Sequence, residues 1–535
     1  MTELIAHTVR GSWTAEPHPL PPRLLRKLRA MTGLAEVATP AVPPSGLVVS
    51  RSALSSAASS ALAGVVGSSH VLVDDESRLG RSGGLSYLDL IRYRGVGAEL
   101  GVPDAVVLPA DPSEVLAVVS LCAELGVGVV PFGGGTSVVG GVAALRGSLP
   151  AVVALDLVRL DQLVSVDPVS RLAVFQAGVR GPAAESLLAA HGFTLGHVPQ
   201  SFERATIGGF AATRSAGQAS SGYGRFEDMV AGLRVATPRG EWRLGVAPAS
   251  AAGPDLRALM VGSEGALGII TEVTVRVRPV PTHRRYEAYA FDGWEQGAAA
   301  VRALAQSRVL ATVTRLSDVD ETAVALMSSS SGGLLGSYLR LRGVREPCLL
   351  VLGWEADGSL ARARAASLRV LRRFRPVRLG RAPAEAWRKG RFGGPRQRDG
   401  LLDVGVCVET LETAGYWSKL SELRDAVRSA LKGELGSQTI VMCHVSHAYE
   451  TGASLYFTVL AARDADDPVG QWQRAKAAAC AAIGGLGTIS HHHAVGVDHA
   501  PYLADEIGAL GVEVLAAVKR TLDPKNVMNP GKLIK

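Results

Sequence analysis

Along the chain the apolar positions change their spacing several times, and each change predicts an element. Residues 105–108 form a short apolar run that reads as a strand. Asp111-Pro-Ser-Glu follows as a helix start with Ser113 the expected N-cap, and residues 114–125 then carry apolar side chains at helical spacing. Residues 126–131, 151–157 and 172–179 read as strands, 182–191 as a helix, and 270–280 as a strand of period two. From residue 284 the alternation restarts with strand 286–291, helix 294–307 and strand 311–316. Further strand and helix signals fall at 349–354, 404–409 and 416–432, and 512–522 predicts a terminal helix before a Pro/Gly/Asn-rich loop. Proline clusters in the first 50 residues leave an extended arm with a basic helical piece at 23–32, and 52–67 reads as a surface helix. The pattern is α+β throughout. It divides the chain into an N-terminal arm (1–99), a first domain (100–283), a second domain (284–485) and a C-terminal segment (486–535).

Composition narrows the class. At 535 residues, 47% hydrophobic and 20% charged, the chain can bury two or three cores without a partner. Its net charge of +7 is scattered, mostly as Arg. That suits an anionic cofactor, a phosphorylated substrate or a lipid surface. With no zinc-finger spacing and no aromatic-rich RNA signature, nucleic acid is not an expected partner. The five cysteines form no CxxC pair, so no disulfide framework or thiolate zinc site is expected and a reducing cytoplasm suits them. The chain does not open on a signal-peptide pattern, and no run nears the roughly 20 apolar residues that span a bilayer. A bacterial cytoplasmic protein, peripheral to the membrane at most, is the expectation.

The segment with the clearest chemistry is PFGGGTSV, residues 131–138. A strand runs into three glycines, which can turn their backbone N–H groups inward as an anion nest, and Thr136 and Ser137 add hydroxyls. It is neither a Walker A loop nor a spaced GxGxxG. Two more small-residue segments follow: GHVPQSFERATIGG (196–209) leading to TRSAG (213–217), and GSEGALGIITE (262–272). Together they suggest a long ligand held in an extended pose.

At these residues the chain resembles the FAD-binding family that includes vanillyl-alcohol oxidase, D-lactate dehydrogenases and alkyldihydroxyacetonephosphate synthase. The likeness to the synthase branch runs from about residue 79 to the end, through the three segments above, YGRFEDMV, TRLSD and SHHH. It implies a PCMH-type FAD-binding domain of two subdomains, an α+β cap domain, and a tail that returns to the flavin. It implies flavin contacts at Pro131, Phe132, Gly133, Gly134, Gly135, Thr136 and Ser137; at Gln200, Ser201, Phe202, Glu203, Arg204, Ala205 and Thr206; at Thr213, Arg214, Ser215 and Ala216; and at Glu264, Gly265, Ala266, Leu267, Gly268, Ile269 and Ile270. Neither His nor Cys lies where some relatives attach the flavin, so non-covalent FAD is expected.

The resemblance also makes Tyr456 a catalytic residue, able to move a proton if a nearby cation lowers its pKa from about 10. It makes His491, His492 and His493 active-site elements, and Arg398 and Arg315 residues of the substrate site, Arg315 more for its integrity. No metal is expected at the three-His run, because successive side chains on a strand would point to opposite faces. Two departures stand out: Ala494 where relatives have Gly, and His444 where the synthase has Arg. Three functions follow. The first is a transferase that exchanges the acyl group of acyl-dihydroxyacetone phosphate for a fatty alcohol through a flavin N5 adduct, making an ether-lipid precursor. The second is an FAD-linked dehydrogenase or oxidase of a 2-hydroxy acid, which the tail DPKNVMNPGKLI and His444 favour. The third is a flavoprotein scaffold or sensor. The relatives' habit of pairing implies a homodimer.

Overall fold

The computed structural model describes residues 6–34, 36–95, 100–329 and 332–534. Its first sheet runs Val71–Leu72, Ala105–Val107, Val152–Asp156, Gly128–Phe132, with the last three strands parallel. Parallel neighbours need a crossover, and helix Pro112–Leu125 provides one. The helix buries Val115, Val118, Val119 and Cys122 against Val107 and Val153 of this sheet and Ala236 of the next. Its N-cap is Asp111, whose carboxylate accepts from Ser113 N and Glu114 N, not Ser113 as the sequence suggested. Pro112 pre-sets the first turn, which shifts the cap one residue before it.

The second sheet is antiparallel, in the order Leu163–Asp167, Leu172–Gln176, Ile269–Arg276, Val230–Thr237, Gly240–Leu244. The third, also antiparallel, has seven strands: Val377–Gly380, His283–Asp292, Pro347–Ala356, Val313–Ser317, Ile440–Ala448, Gly452–Ala462 and Val406–Tyr416. Leu455, Phe457 and Val459 point into a core with Leu423, Val427 and Leu431 of helix Leu420–Leu435 and Trp472 of helix Pro468–Ile483. Period-two alternation then turns Tyr456 to the opposite face.

Local readings differ from the structure in four further places. The strand expected at 404–409 extends to Tyr416, and its helix starts only at Leu420. The helix Ser56–Val66 is not merely superficial, since Leu62 and Val66 lie in the first core. The arm shares the third sheet's core through buried Trp13, Leu28 and Leu34. The terminal helix spans Leu503–Leu522 and is broken at Gly508, where φ is 76°.

The C-terminal tail adds to the edge of Gly128–Phe132: Val129 N donates to Val527 O, and Asn529 N donates to Val129 O. Buried Lys519 locks this return by donating to Asp523 Oδ2 (2.9 Å), Ala266 O (2.9 Å) and Met528 O (2.8 Å). Asp523 accepts in turn from Val527 N and Met528 N. Removing one member of a buried pair strands the other's charge, at about 3–5 kcal/mol. Asp523→Ala should therefore lower unfolding free energy by about that amount in urea titrations.

Candidate active site and flavin cradle

The register of the third sheet assembles the reactive end. Tyr456 lies directly opposite His444 on one neighbouring strand and Glu412 on the other. Cross-strand partners share a face, so these three side chains form one row. The Tyr456 ring stacks on His444 (centroids 5.0 Å) and on His492 (6.0 Å), and meets His493 edge-on at 5.6 Å. Burial pushes the Tyr456 hydroxyl up to about 12, against the smaller lowering pulls of Thr410 and Arg398. The pKa depression anticipated from a neighbouring cation is thus outweighed by desolvation.

His491, His492 and His493 lie on bends, not on a strand, so the objection that their side chains must diverge does not hold. The buried carboxylate of Glu412 shapes this segment. It accepts from the backbone N of His491, His492 and His493 at 2.9–3.0 Å and from Ser490 Oγ at 3.0 Å. The rings then converge. His491 Nδ1 is 3.0 Å from His492 Nδ1, and His491 Nε2 is 2.6 Å from Tyr449 Oη. His447 stacks on His491 at 5.1 Å. The ligating atoms of His447, His491 and His492 all lie within 4.8 Å of one another, a spacing that could hold a metal ion. Burial lowers His491 to about 3 and pushes His447 and His493 well down, so these rings are neutral at pH 7. Glu412 stays well below its ordinary range, its burial outweighed by its interactions with His492, His493 and His491. Ala494 follows at φ 72°, where a Cβ is strained, which explains why glycine suits this turn.

Arg315 is held away from Tyr456. It donates to Glu321 Oε1 (2.7 Å) and lies 3.0 Å from His444 Nδ1, so it reaches the tyrosine only through His444. Arg398, on helix Gly394–Asp403, donates to Leu85 O at 2.8 Å and keeps its Nε without a partner among the described residues.

The flavin segments close on one another tightly. A Cβ at Gly134 would sit 2.2 Å from Arg204 O, one at Gly133 would meet Thr206 Oγ1 at 2.5 Å, and Gly135 has φ 60°. Thr206 caps helix Ile207–Ala212. Ser215 Oγ is 3.0 Å from His197 Nε2, while Arg214 turns to Val261 O. Glu264 accepts from Val495 N and Gly496 N, tying the third segment to the three-His loop, and burial pushes it up to about 7. Ala266, Leu267 and Ile269 pack fully into the cores. Within the same segments and beside them, Gln200 Nε2, Arg204 Nε and Nη1, Ser263 Oγ and Asn529 Oδ1 are buried without partners among the described residues. Such orphaned donors and acceptors fit a polar ligand. Sequence reasoning missed Glu412, His447, Tyr449 and Thr410. A glutamate at a buried position of the apolar run VCVETLETAGY was the available signal.

Known proteins share this fold. The FAD binding domain family matches residues 103–244, and the C-terminal domain of FAD linked oxidases matches residues 280–533. Fold and site thus define an FAD-dependent enzyme of the FAD-linked oxidase class. The chain is 32% identical over 480 residues to alkyldihydroxyacetonephosphate synthase of Dictyostelium discoideum, covering 86% of this chain and 78% of that one. It is 32% identical over 489 residues to that of Trypanosoma brucei brucei, covering 88% and 79%. A solved alkyldihydroxyacetonephosphate synthase structure superposes with TM-score 0.82 at 29% identity, over 95% of this chain and 92% of that one. The 4-ethylphenol oxidase of Gulosibacter chungangensis shares the fold at TM-score 0.68 and 13% identity. The chain belongs to the alkyldihydroxyacetonephosphate synthase family, and FAD is its cofactor.

Glu412 yields a pH-resolved test. Its folded pKa is depressed, so its stabilisation is present above the ordinary carboxylate range and fades as pH falls below about 4. Glu412→Gln should cost about 1–3 kcal/mol at pH 7. The gap from wild type, measured by denaturant unfolding, should shrink steadily between about pH 4.5 and 3. A gap that stays constant with pH would show that the charge is not what holds the loop.

Proposed function

We propose that the chain exchanges the acyl group of an acyl-dihydroxyacetone phosphate for a fatty alcohol, releasing the carboxylate and forming an alkyl ether. The observation that carries this reading is Tyr456 between His444 and His492, in a chain 32% identical to two synthases over most of its length. When bound, FAD supplies an electron-poor ring that can take up and return an electron pair. Tyr456, protonated at neutral pH, exchanges a proton with the substrate carbon beside the ketone. The ring of His491 or His493, kept neutral by burial, accepts the alcohol's proton as its oxygen replaces the carboxylate. Arg398 holds the phosphate, and Arg315 keeps His444 in place through Glu321.

No described helix is long and apolar enough to cross a membrane. Exposed Leu334 and Leu341, beside exposed Arg340 and Arg342, support a peripheral contact with an anionic lipid surface where such substrates reside. Exposed Leu510 and Val514, one helical turn apart beyond the break at Gly508, support a homodimer. The second reading, oxidation of a 2-hydroxy acid, draws on 28% identity to the mitochondrial D-lactate dehydrogenase [cytochrome] of Arabidopsis thaliana, over 81% of this chain and 74% of that one.

Palmitoyl-dihydroxyacetone phosphate and labelled hexadecanol, mixed anaerobically with the yellow protein, should give labelled ether lipid with the flavin spectrum oxidised at the end. Tyr456→Phe should keep its flavin and lose about 10²–10⁴-fold in turnover. Bleaching by a hydroxy acid, with no ether product, would establish the second reading instead.

A further inference from the structure

The exchange of an acyl group for an alcohol frees one proton per turnover. The carboxylate leaves ionised, and the alcohol's O–H proton stays behind when its oxygen bonds to the substrate carbon. Taken up by an enclosed ring, that proton must reach solvent before the next alcohol reacts. Among the described residues, His491 is the member of the three-His run whose ring bonds to a partly exposed group: its Nε2 lies 2.6 Å from Tyr449 Oη. Tyr449 follows strand Ile440–Ala448 at the turn into Gly452–Ala462, where Glu450 and Thr451 are exposed. Tyr449 N donates to Gly452 O (2.8 Å), and Trp417 Nε1 donates to Tyr449 O (3.0 Å). The backbone from which the phenol reaches inward is thereby fixed.

Inward, His491 Nδ1 is 3.0 Å from His492 Nδ1, and the His492 ring stacks on Tyr456. Phenol, imidazole and imidazole therefore form a hydrogen-bonded chain whose inner end lies beside Tyr456. A neutral imidazole carries one donor and one acceptor and a phenol carries both, so each link can hold its proton on either side. Glu412 Oε2 stands 3.4 Å from His492 Nδ1, and its negative charge opposes the positive charge of a proton in passage. Burial raises the Tyr449 phenol, and Asp228, Glu227 and Glu412 add to the rise against Arg225, so at rest it keeps its proton. The motif YGRFEDMV (223–230) holds the chain in place. Arg225 Nη2 donates to His491 O (2.8 Å) and Arg214 O (3.3 Å), while Nη1 pairs with Glu227 (2.8 Å). Exposed Asp228 accepts from Arg225 N at 2.9 Å.

We propose that Tyr449 is the outlet of a proton relay that empties the active site between turnovers. The alcohol's proton arrives on Nδ1 of His491, directly or through His492. The Nε2 proton of His491 then moves to Tyr449 Oη as the phenol's own proton passes to water. Nothing is oxidised or reduced, and one proton reaches solvent for each ether formed. Tyr449 acts through His491. The relay rests on the transferase reading only for the origin of the proton; the chain of donors and acceptors stands apart from it.

The test compares the wild-type holoenzyme with Tyr449→Phe, which deletes the hydroxyl alone, and Tyr449→His, which keeps a group able to donate and accept. Tyr449→Phe should lower kcat about 10-fold with KM changed by less than about twofold. Added imidazole buffer, a diffusible proton carrier, should restore that loss saturably and leave wild type unmoved. Tyr449→His should retain most of the turnover. A purely structural role would move KM or the flavin spectrum and gain nothing from buffer. Resting holoenzyme carrying isotope-labelled histidine gives a readout independent of turnover. In its NMR spectrum the His491 ring N–H should exchange with water about 10-fold more slowly in Tyr449→Phe. An exchange rate unchanged by the substitution, a variant with wild-type kcat, or a loss that buffer does not restore would each overturn the relay. Wild type that makes no ether lipid would overturn the transferase reading alone, and the exchange rate would still decide the relay.

Discussion

Glu412 sits on the central face of the seven-stranded sheet with its carboxylate wholly enclosed, and it accepts bonds from the backbone of three successive histidines and the hydroxyl of Ser490. A buried carboxylate that gathers so many N–H groups is held ionised by them, and in return it dictates where their backbone must run. The convergence of the three imidazoles on Tyr456 depends on that exchange. So does the tie from His491 to Tyr449, and from Arg225 Nη2 to His491 O. An apolar residue at 412 would leave four donors buried and let the segment relax toward ordinary extended chain, in which adjacent rings separate.

The same logic of buried charge answered by backbone recurs at both ends of the chain. Lys519 and Asp523 fold the tail back along Gly128–Phe132, and Asn529 Nδ2 donates to Gly141 O and Glu264 O. Glu264 passes the connection on to Val495 and Gly496 beyond the histidines. Arm, glycine-rich loop, tail and histidine loop are therefore one hydrogen-bonded body. Tyr456 and the loop Gly133–Gly135 are mechanically joined through it.

Burial sets the protonation states with which this site works. The phenol of Tyr456 is raised and the imidazoles of His491 and His493 are lowered, so a neutral acid rests beside neutral bases. Such an arrangement can pass a proton without first creating a buried charge. It suits an exchange in which one oxygen replaces another on a single carbon. The cation that reaches Tyr456 through His444 is fixed by Glu321, which is held far down by Arg315 and His444 despite burial.

Much of this protein was legible in one dimension. Glycine spacing at 133–135 and at 262, 265 and 268 reports backbone conformation directly, since Gly135, Gly262, Gly265 and Gly268 all take positive φ in the structure. Hence the α+β class, the FAD cofactor and the family followed from residues close in sequence. Alternation around Tyr456 likewise placed its strand, because period-two burial is a local property. What the sequence could not contain was the register that sets Tyr456 opposite both His444 and Glu412, or the turn that brings His447 beside His491. Nor could it show Arg10 meeting Gly135 across 125 positions. Those contacts pair residues tens to hundreds of positions apart, and their partners are chosen by how the sheets pack and which charges share one enclosed, low-dielectric space. Local sequence determined which groups were available; only the tertiary structure decided which of them meet, and in what state of charge.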